Sequence, residues 1–411
     1  MTSTLLTIRS GGIGGGSVGL LMVVLATAAA LFVAWNNGSN NAANSVGTAV
    51  GAGVLQARKA LYMAAIASFA GSAALGIYVT NTIMRGIVNT MAISSTVVIK
   101  GMISVLIAAG FWTLLSTFLK VPMSVHVCIV GGVIGFGLAV GTSSVSWGEV
   151  ARILAAWAVV PIATAAMAYG LYLGFSRTFK DIRRAKVGVI AASYLTAASP
   201  TVLILIKTVS ASSLVMVALV TLGVSTLATF FVYLYWRHRV RKGRNPAYEA
   251  SRILLIMAAM GMAFSFGSND VANSAGPLAA ILYAEGVGNV THVMWLSLFI
   301  AAAGLSAGIA LWGSKVIETV GERITPLSPP SAYAAQMSAT LAMLIVSRLG
   351  LPVSTSMAIV GGVMGVGLSR GIRTLNVKVL ARIFGMWLLA LPATIALTYA
   401  LTLVLIYFTP A

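Results

Sequence analysis

The fold of this chain is decided by Gly38-Ser39-Asn40-Asn41-Ala42-Ala43-Asn44, which recurs 229 residues later as Gly267-Ser268-Asn269-Asp270-Val271-Ala272-Asn273. A second pair of stretches follows at an offset of 230, namely Val121-Pro122-Met123-Ser124-Val125-His126 and Leu351-Pro352-Val353-Ser354-Thr355-Ser356. Two motifs in the same order at nearly the same offset indicate an internal repeat. The chain is therefore predicted to consist of two homologous halves. Residues 38–44 and 267–273 are called the first and second asparagine motifs below.

The composition places both halves in a membrane. Of 411 residues, 8% are charged and 59% are apolar, whereas a soluble domain carries about 25% charged residues. This excludes a cytosolic enzyme, a secreted disulfide scaffold and a disordered chain. The single cysteine, Cys128, excludes an intrachain disulfide and a thiolate metal cluster. No Gly-rich nucleotide loop or carboxylate pair is present either, so the sequence predicts neither an enzyme nor an organic cofactor.

The apolar stretches predict membrane-spanning helices. A helical span takes about 20 apolar residues, and barrel strands would alternate in polarity, which these stretches do not. Ten stretches qualify: 18–35, 60–80, 95–118, 147–175, 187–207, 212–236, 253–268, 292–312, 331–349 and 383–409. The predicted fold class is an all-α, multi-pass integral membrane protein.

The basic residues set the predicted orientation. The formal charge of +19 is concentrated in residues 177–186 and 237–252, on either side of a long apolar hairpin. The positive-inside rule assigns both segments to the cytoplasm, where they also attract anionic lipid headgroups. Because the basic residues do not line a soluble face, nucleic-acid binding is not predicted.

The charges flanking the motifs indicate that the halves are inverted. The second asparagine motif follows the basic segment 237–252 and precedes the loop 283–289, which lacks Lys and Arg. In the first half the basic pair Arg58-Lys59 comes after the motif instead. The sequence thus predicts inverted repeats at 15–175 and 253–411, joined by a linker hairpin at 176–252. Secondary transporters of this construction bind substrate and ions near the midplane, where discontinuous helices meet.

The asparagine motifs are predicted to break their helices. Gly, Ser, Asn and Asp disfavour helix interiors because their side chains compete for backbone hydrogen bonds. Irregular backbone and a carboxylate such as Asp270 are tolerated at membrane depth only where they line a protein interior or a cavity. Carbonyl and carboxylate oxygens gathered at a break would suit a small hard cation such as sodium. The alternative is that the Asn residues only form hydrogen bonds between helices.

The proline-serine stretches predict an anion site. Pro122 and Pro352 suit the first turn of a helix, with the polar residues that follow close to its N-terminus. A helix N-terminus presents unpaired N–H groups and partial positive charge, so two such ends facing each other could hold a tetrahedral oxyanion. The Gly-Gly-x-x-Gly runs that follow are compatible with short re-entrant hairpins. For His126, contact with substrate is favoured over an interhelical hydrogen bond, and proton transfer ranks behind both.

These motifs resemble those of the inorganic phosphate transporter (PiT) family, which contains sodium-phosphate and proton-phosphate symporters. The family repeats a Gly-Ala-Asn-Asp-Val-Ala-Asn-Ala element and carries Pro-Val-Ser-Thr-Thr-His elements in both halves. The stretches 267–281 and 352–367 match closely, and the stretch 36–47 matches less closely. The similarity covers nearly the whole chain.

The resemblance implies a helical inverted-repeat fold with broken helices and re-entrant hairpins. It implies phosphate between the two proline-serine hairpins and sodium near the Asn-Asp breaks. Carried over by position, the substrate-side candidates are Ser124, Val125, His126, Ser354, Thr355 and Ser356. The ion-side candidates are Asn40, Asn41, Asn44, Asn269, Asp270 and Asn273.

Two departures from the family pattern bear on function. Asn41 stands where the family has Asp, and Val127 and Met357 stand where it has His. The predicted function is import of inorganic phosphate across the cell membrane by symport with sodium or a proton, by a protein that could form a homodimer. The alternatives are a sulfate permease, which the missing carboxylate would suit, and an anion channel.

Overall fold

The computed structural model describes residues 17–119, 124–178, 182–205, 214–314 and 326–408. Across these residues the chain is helical and forms no strand, and Val88 and Val145 make a single isolated bridge. The all-α fold class is confirmed. Pro122, predicted for a helical first turn, lies outside the described residues.

Thirteen helices are described. The first seven are α1 (Ser17–Gly51), α2 (Ala57–Asn81), α3 (Ser95–Leu119), α4 (Val125–Val140), α5 (Trp147–Thr178), α6 (Ile182–Leu205) and α7 (Leu214–Arg241). The remainder are α8 (Pro246–Asp270), α9 (Ala272–Ala284), α10 (Val290–Trp312), α11 (Pro329–Arg348), α12 (Thr355–Arg370) and α13 (Val377–Phe408). A π-helical turn, Thr82–Gly86, extends α2.

Within the described residues, nine helical segments are long and apolar enough to cross a membrane, with α8 and α9 counted as one. The predicted stretch 331–349 forms α11 but is not among them. Most of its residues are buried, and it carries Gln336, Ser338 and Thr340 in its middle. A helix enclosed by other helices needs no lipid-facing apolar surface, so α11 can be more polar than a span in contact with lipid.

The helices recur in the same order in both halves. α5 and α13 begin and end 230 residues apart, as do α4 and α12. At 16 residues each, α4 and α12 are about 24 Å long, shorter than the roughly 30 Å hydrocarbon core. Such short helices are compatible with the predicted re-entrant hairpins.

Helix directions follow from the pairs of residues in contact. Ser68 and Ser72 of α2 donate to the carbonyl oxygens of Ala263 and Gly267 of α8, at 2.8 and 3.0 Å, so α2 and α8 run parallel. α1 and α10 also run parallel, because Ala34, Trp35 and Ala42 lie against Gly304, Gly308 and Gly313 in the same order. Since α10 returns across the fold from the end of α9, α1 runs opposite to α8. This is consistent with inverted repeats.

Helices of the two halves pack in exchanged pairs. α1 packs on α10 and α2 on α8, while α4 packs on α13 and α5 on α12. The contacts are close because glycine lies at the crossings: a Cβ at Gly71 would overlap the Phe264 backbone, and one at Gly267 the Ser68 backbone. Each half therefore completes its packing with helices of the other.

The predicted helix break differs between the motifs. α1 runs without interruption through the first asparagine motif, so the break predicted there is wrong. The amides of Asn40, Asn41 and Asn44 each donate to another Asn side chain three or four residues earlier in α1, so these contacts leave the helix backbone intact. In the second motif α8 ends at Asp270 and α9 begins at Ala272, separated by Val271 at helical angles (φ −58°, ψ −32°). The interruption is a loosened turn.

The helix after the second proline-serine stretch begins later than predicted. α12 begins at Thr355 with Ser354 as its N-cap, so Pro352 lies in the preceding loop and not in the first turn. The backbone of Ser354 is extended (φ −71°, ψ 126°), so the helix begins only after it. The Pro352 carbonyl accepts a hydrogen bond from the Trp157 indole at 2.8 Å, which anchors this loop to α5.

Candidate functional site

A row of asparagine amides lines one face of α1. Asn41 Nδ2 donates to Asn37 Oδ1 at 2.6 Å, and Asn44 Nδ2 donates to Asn41 Oδ1 at 2.9 Å. The spacing of three and four residues places all three on one helix face. All three side chains are buried. We call Asn37, Asn41 and Asn44 the amide ladder.

Both ends of the amide ladder reach the second half of the chain. Asn37 Nδ2 donates to the backbone carbonyl of Asp270, at the end of α8, at 3.1 Å. Asn44 Nδ2 donates to Ser356 Oγ, in the first turn of α12, at 2.8 Å. The first asparagine motif thus joins the second asparagine motif to the second proline-serine stretch.

The carboxylate of Asp270 lies beside His126 from the other half. Asp270 Oδ2 is 3.7 Å from His126 Nδ1, and both side chains are at most 2% exposed. Asn273 Nδ2 lies 3.3 Å from the same His126 nitrogen. The side chain of Thr355 also lies next to the Asp270 carboxylate. Residues predicted for the ion and residues predicted for the substrate therefore meet at one place.

Polar contacts run without a gap from α4 to α12. The route passes from His126 to Asp270, then along the amide ladder to Ser356. We call these six residues, with Asn273, the polar bridge. It connects the first turns of the two short helices through groups from both halves.

Several atoms in and beside the polar bridge have no hydrogen-bond partner among the described residues. They are His126 Nε2, Asp270 Oδ1, Asn273 Oδ1 and Thr355 Oγ1, all buried. An unsatisfied buried polar atom costs about 1–3 kcal/mol. The carboxylate, amide and hydroxyl oxygens in this set are the ligands a hard cation prefers. The site therefore has unused acceptors of the type that sodium requires.

The two short helices present N-terminal ends beside the polar bridge. Ser124 caps α4 by accepting from the Val127 N–H at 3.3 Å, and Ser354 is the N-cap of α12. The first backbone N–H groups of a helix lack intrahelical acceptors, so those of Val125 and Thr355 are suited to an anion. The apolar Val125 could take part only through its backbone.

Two of the ion-side candidates lie outside the amide ladder, and one of them, Asn269, lies next to His126 of the polar bridge. Asn40 lies on another face of α1, where its amide donates to Asn36 Oδ1 at 2.9 Å. Asn269 holds the loop before α12: its Nδ2 donates to the Leu351 carbonyl at 3.1 Å, and its Oδ1 accepts from the Val353 N–H at 3.2 Å. The Asn40 amide thus bonds within α1, whereas Asn269 joins the loop before α12 to the surroundings of His126.

Sequence reasoning missed two residues near this site. Asn37 precedes the first asparagine motif but stands four residues before Asn41, so helical periodicity could have added it. Gln336 of α11 accepts from Thr48 Oγ1 at 2.8 Å and donates to the Ser45 carbonyl at 2.5 Å. A lone Gln within an apolar stretch was the available signal, because polar side chains at membrane depth are expensive.

The fold and the polar bridge define a multi-pass helical membrane protein with repeated halves around a buried polar centre. A sequence model of the Phosphate transporter family matches residues 37–398. The Arabidopsis thaliana protein named Inorganic phosphate transporter 2-1, chloroplastic, is 30% identical over 416 residues, covering 90% of this chain and 70% of that protein. A provisionally named phosphate permease of Haemophilus influenzae is 32% identical over 383 residues, covering 88% of this chain and 91% of that protein.

A solved structure agrees with these sequence matches. A chain described as "The sodium-dependent phosphate transporter" has a TM-score of 0.89 and 32% identity, covering 95% of this chain and 100% of that chain. This chain therefore belongs to the phosphate transporter family. The resemblance inferred from the motifs is confirmed.

Proposed function

We propose that this protein is a secondary active transporter of the cell membrane that imports inorganic phosphate by symport with sodium. Residues 15–175 and 253–411 form the two halves of an alternating-access machine, and residues 176–252 link them. Symport is the coupled movement of anion and cation, so both must be bound in one occluded site. No covalent chemistry takes part.

The polar bridge is the observation that supports this proposal. It brings a carboxylate, a histidine and amide groups from both halves into contact with the first turns of α4 and α12. A cation coordinated by Asp270 Oδ1 and Asn273 Oδ1 would lie next to an oxyanion held by the N–H groups at those turns. The attraction between the two ions in a low-dielectric interior supplies the coupling.

The cation is assigned from the available ligands. Asp270 and Asn273 offer oxygen atoms without partners among the described residues, and oxygen ligands suit sodium. A relative described as sodium-dependent has a closely similar fold. A proton carried by Asp270 or His126 is the competing assignment, and it predicts transport that responds to pH and not to sodium.

The test is uptake into liposomes reconstituted with the purified protein. We expect labelled phosphate to accumulate only with an inward sodium gradient, to saturate, and to stop when an ionophore collapses that gradient. Labelled sulfate is the matched competitor. Sulfate uptake that a large excess of phosphate leaves unchanged would identify a sulfate permease, and uptake that neither saturates nor depends on any cation would identify a channel.

The control is the same liposome with no sodium gradient, loaded with unlabelled phosphate and placed in labelled phosphate at the same concentration. Exchange without a gradient shows that the protein is folded and can cycle, so a failure of accumulation can be assigned to coupling. If a pH gradient replaces sodium completely, sodium is not the coupling cation.

A further inference from the structure

A cavity separate from the polar bridge lies where α2 ends, α10 begins and α11 ends. Its volume is about 440 Å³, within the range of small-ligand pockets. It opens at the membrane face opposite the basic segment 237–252, because α8 and α9 carry the chain from that segment across to α10. Its polar and basic lining residues are Tyr78, Asn81, Thr82, Arg85, Thr291 and Arg348.

Arg348 is the unusual group in this cavity. Its side chain is 6% exposed, and Nε, Nη1 and Nη2 all lack a hydrogen-bond partner among the described residues. The guanidinium carbon lies 4.5 Å from the centre of the Tyr78 ring. A cation over an aromatic face and near a helix C-terminus is favoured, but neither contact gives its N–H groups an acceptor. A buried guanidinium with five unused donors requires an anionic partner.

The remaining lining residues fit an anion. None of the residues lining this described cavity is acidic. Arg85, a second and exposed cation, donates from Nε to Asn81 Oδ1 at 2.7 Å, which leaves the Asn81 NH₂ group as a further donor. Two guanidinium groups with amide and hydroxyl donors form the set that recognises a phosphate-type oxyanion.

The cavity wall is tied by a short loop to Asn269, which lies next to His126 of the polar bridge. Ser347, next to Arg348, accepts at its Oγ from Asn269 Nδ2 at 3.0 Å. Gly350 has φ +73°, and a Cβ there would lie 3.2 Å from Thr82 Oγ1 and from the Tyr78 carbonyl. The loop from Arg348 to α12 is thus packed closely against the end of α2. An anion released from Arg348 would be one loop away from the first turn of α12.

We propose that this cavity is a second oxyanion site, which captures free phosphate from solution and passes it to the central site. The identity of its ligand rests on the proposed function, whereas the existence of an oxyanion site rests on Arg348 and Arg85. A lipid phosphate headgroup has the same chemistry and could compete for the same donors. The cavity lies between helices and is lined by Asn81 and Thr82, which favours a small soluble anion.

The first experiment counts bound phosphate in the purified protein, embedded in nanodiscs of neutral phosphatidylcholine. Equilibrium dialysis with labelled inorganic phosphate is expected to give two sites per chain for wild type and one for Arg348→Gln. Asp270→Asn should retain the Arg348-dependent site. Arg373→Gln, which removes an exposed arginine outside the cavity, is the control with the same change of net charge and should bind as wild type does.

The readout separates this proposal from the proposed function. Two phosphates per wild-type chain with one lost in Arg348→Gln support the second site, even if uptake proves not to be coupled to sodium. Equal stoichiometry in wild type and Arg348→Gln overturns it. A third outcome also overturns the proposal: no phosphate binds through Arg348 in neutral lipid, and anionic phosphatidylglycerol binds there instead. That outcome assigns the cavity to lipid.

A second variant covers the case in which Arg348→Gln does not fold. Arg85 is exposed, so Arg85→Gln should fold and still weaken phosphate binding at this site by about tenfold, the loss of one charge-assisted contact. In liposomes the same variant should raise the KM for uptake from the cavity face and leave the maximum rate unchanged. An unchanged affinity in Arg85→Gln would contradict the proposal.

Discussion

At the scale of single residues, Asp270 supplies the carboxylate of the polar bridge. It is buried beside His126, with Oδ1 lacking a partner among the described residues. We expect Asp270→Asn to lower sodium-driven phosphate accumulation more than about tenfold, since the loss of a charge-assisted contact costs about 1.5–3 kcal/mol. Uptake into liposomes at varied sodium measures this effect.

The matched control for Asp270→Asn removes a carboxylate at the protein surface. Glu149, 18% exposed, pairs at 2.9 Å with Arg152, 62% exposed, near the start of α5, and a solvent-accessible pair of this kind is worth less than about 1 kcal/mol. Glu149→Gln should leave accumulation unchanged. Normal sodium dependence in Asp270→Asn would remove this residue from the ion site.

Asn41 tests how charge in the amide ladder selects the anion. Asn41 Oδ1 accepts from Asn44, a role that an Asp carboxylate can keep. We expect Asn41→Asp to increase sodium dependence while phosphate stays the preferred substrate, because phosphate can donate its proton to a carboxylate. Sulfate cannot donate, so any sulfate uptake should fall. Competition between the two labelled anions measures the preference.

Asn40→Asp is the matched control, since it makes the same change one residue away on another face of α1. Asn40 Nδ2 donates to Asn36 Oδ1 on that other face. Its variant should therefore keep the wild-type anion preference. If both variants shift the preference equally, the effect belongs to net charge and not to the amide ladder.

Much of the candidate site was accessible from the sequence because it repeats. The recurrence of both motifs identified His126, Asp270, Asn273 and Ser356 without any knowledge of contacts. The sequence could not predict that ion-side and substrate-side residues meet at one place. That meeting depends on how α1 and α8 pack against each other in three dimensions. Asn40 and Asn269 show the limit: Asn40 lies on another face of α1, and the Asn269 side chain holds the loop before α12 beside His126.

At the scale of helices, the pairing of α2 with α8 depends on glycine. A Cβ at Gly71 would overlap the backbone of Phe264. We expect Gly71→Ala to destabilise the protein by about 1–3 kcal/mol, the usual range for overpacking a close contact. The measurement is the temperature at which the detergent-solubilised protein loses its monodisperse size-exclusion peak.

Gly223 in α7 provides the control because a Cβ there would meet nothing within 4 Å. Gly223→Ala should hold or slightly raise the melting temperature, since alanine favours a helix by about 0.5–1 kcal/mol over glycine. Equal melting temperatures for the two variants would show that the α2–α8 crossing tolerates a methyl group.

Helix positions were predicted better than helix interruptions. Apolar length locates the spans, because a bilayer imposes about 20 residues on any helix that crosses it. The local propensities of Asn, Asp and Pro predicted a break in α1 and an early start of α12, and both were wrong. In α1, side-chain amides that donate to one another outweighed those propensities. Before α12, the backbone stays extended as far as Ser354.

At the scale of the whole molecule, the prediction to test is the orientation of the helices in the membrane. α2 and α8 run parallel, so Gln56 before α2 and the basic segment before α8 share one face, while Val287 follows α9. In a Cys128→Ala background, we expect a cysteine at position 56 to react only from the cytoplasm and one at position 287 only from outside. An impermeant maleimide applied to intact and opened cells measures this.

Both labelling positions are exposed, so reactivity reports sidedness and not burial. Denatured protein labelled at each cysteine gives the reference for full reaction. Labelling of both positions from the same side would contradict the inverted-repeat topology, even though the family assignment would stand.

The exchanged helix pairs also bear on how the protein is made. A ribosome delivers α1 and α2 long before α10 and α8, the helices on which they pack. Until those helices are made, the surfaces at Gly38 and Gly71 that pack on α10 and α8 have no partner helix in the bilayer. The pairing of α2 with α8 can begin only after α8 has been inserted, and the pairing of α4 with α13 only after the final helix. Premature termination before α8 would leave α1 and α2 without the helices on which they mainly pack, a substrate for membrane quality-control proteases.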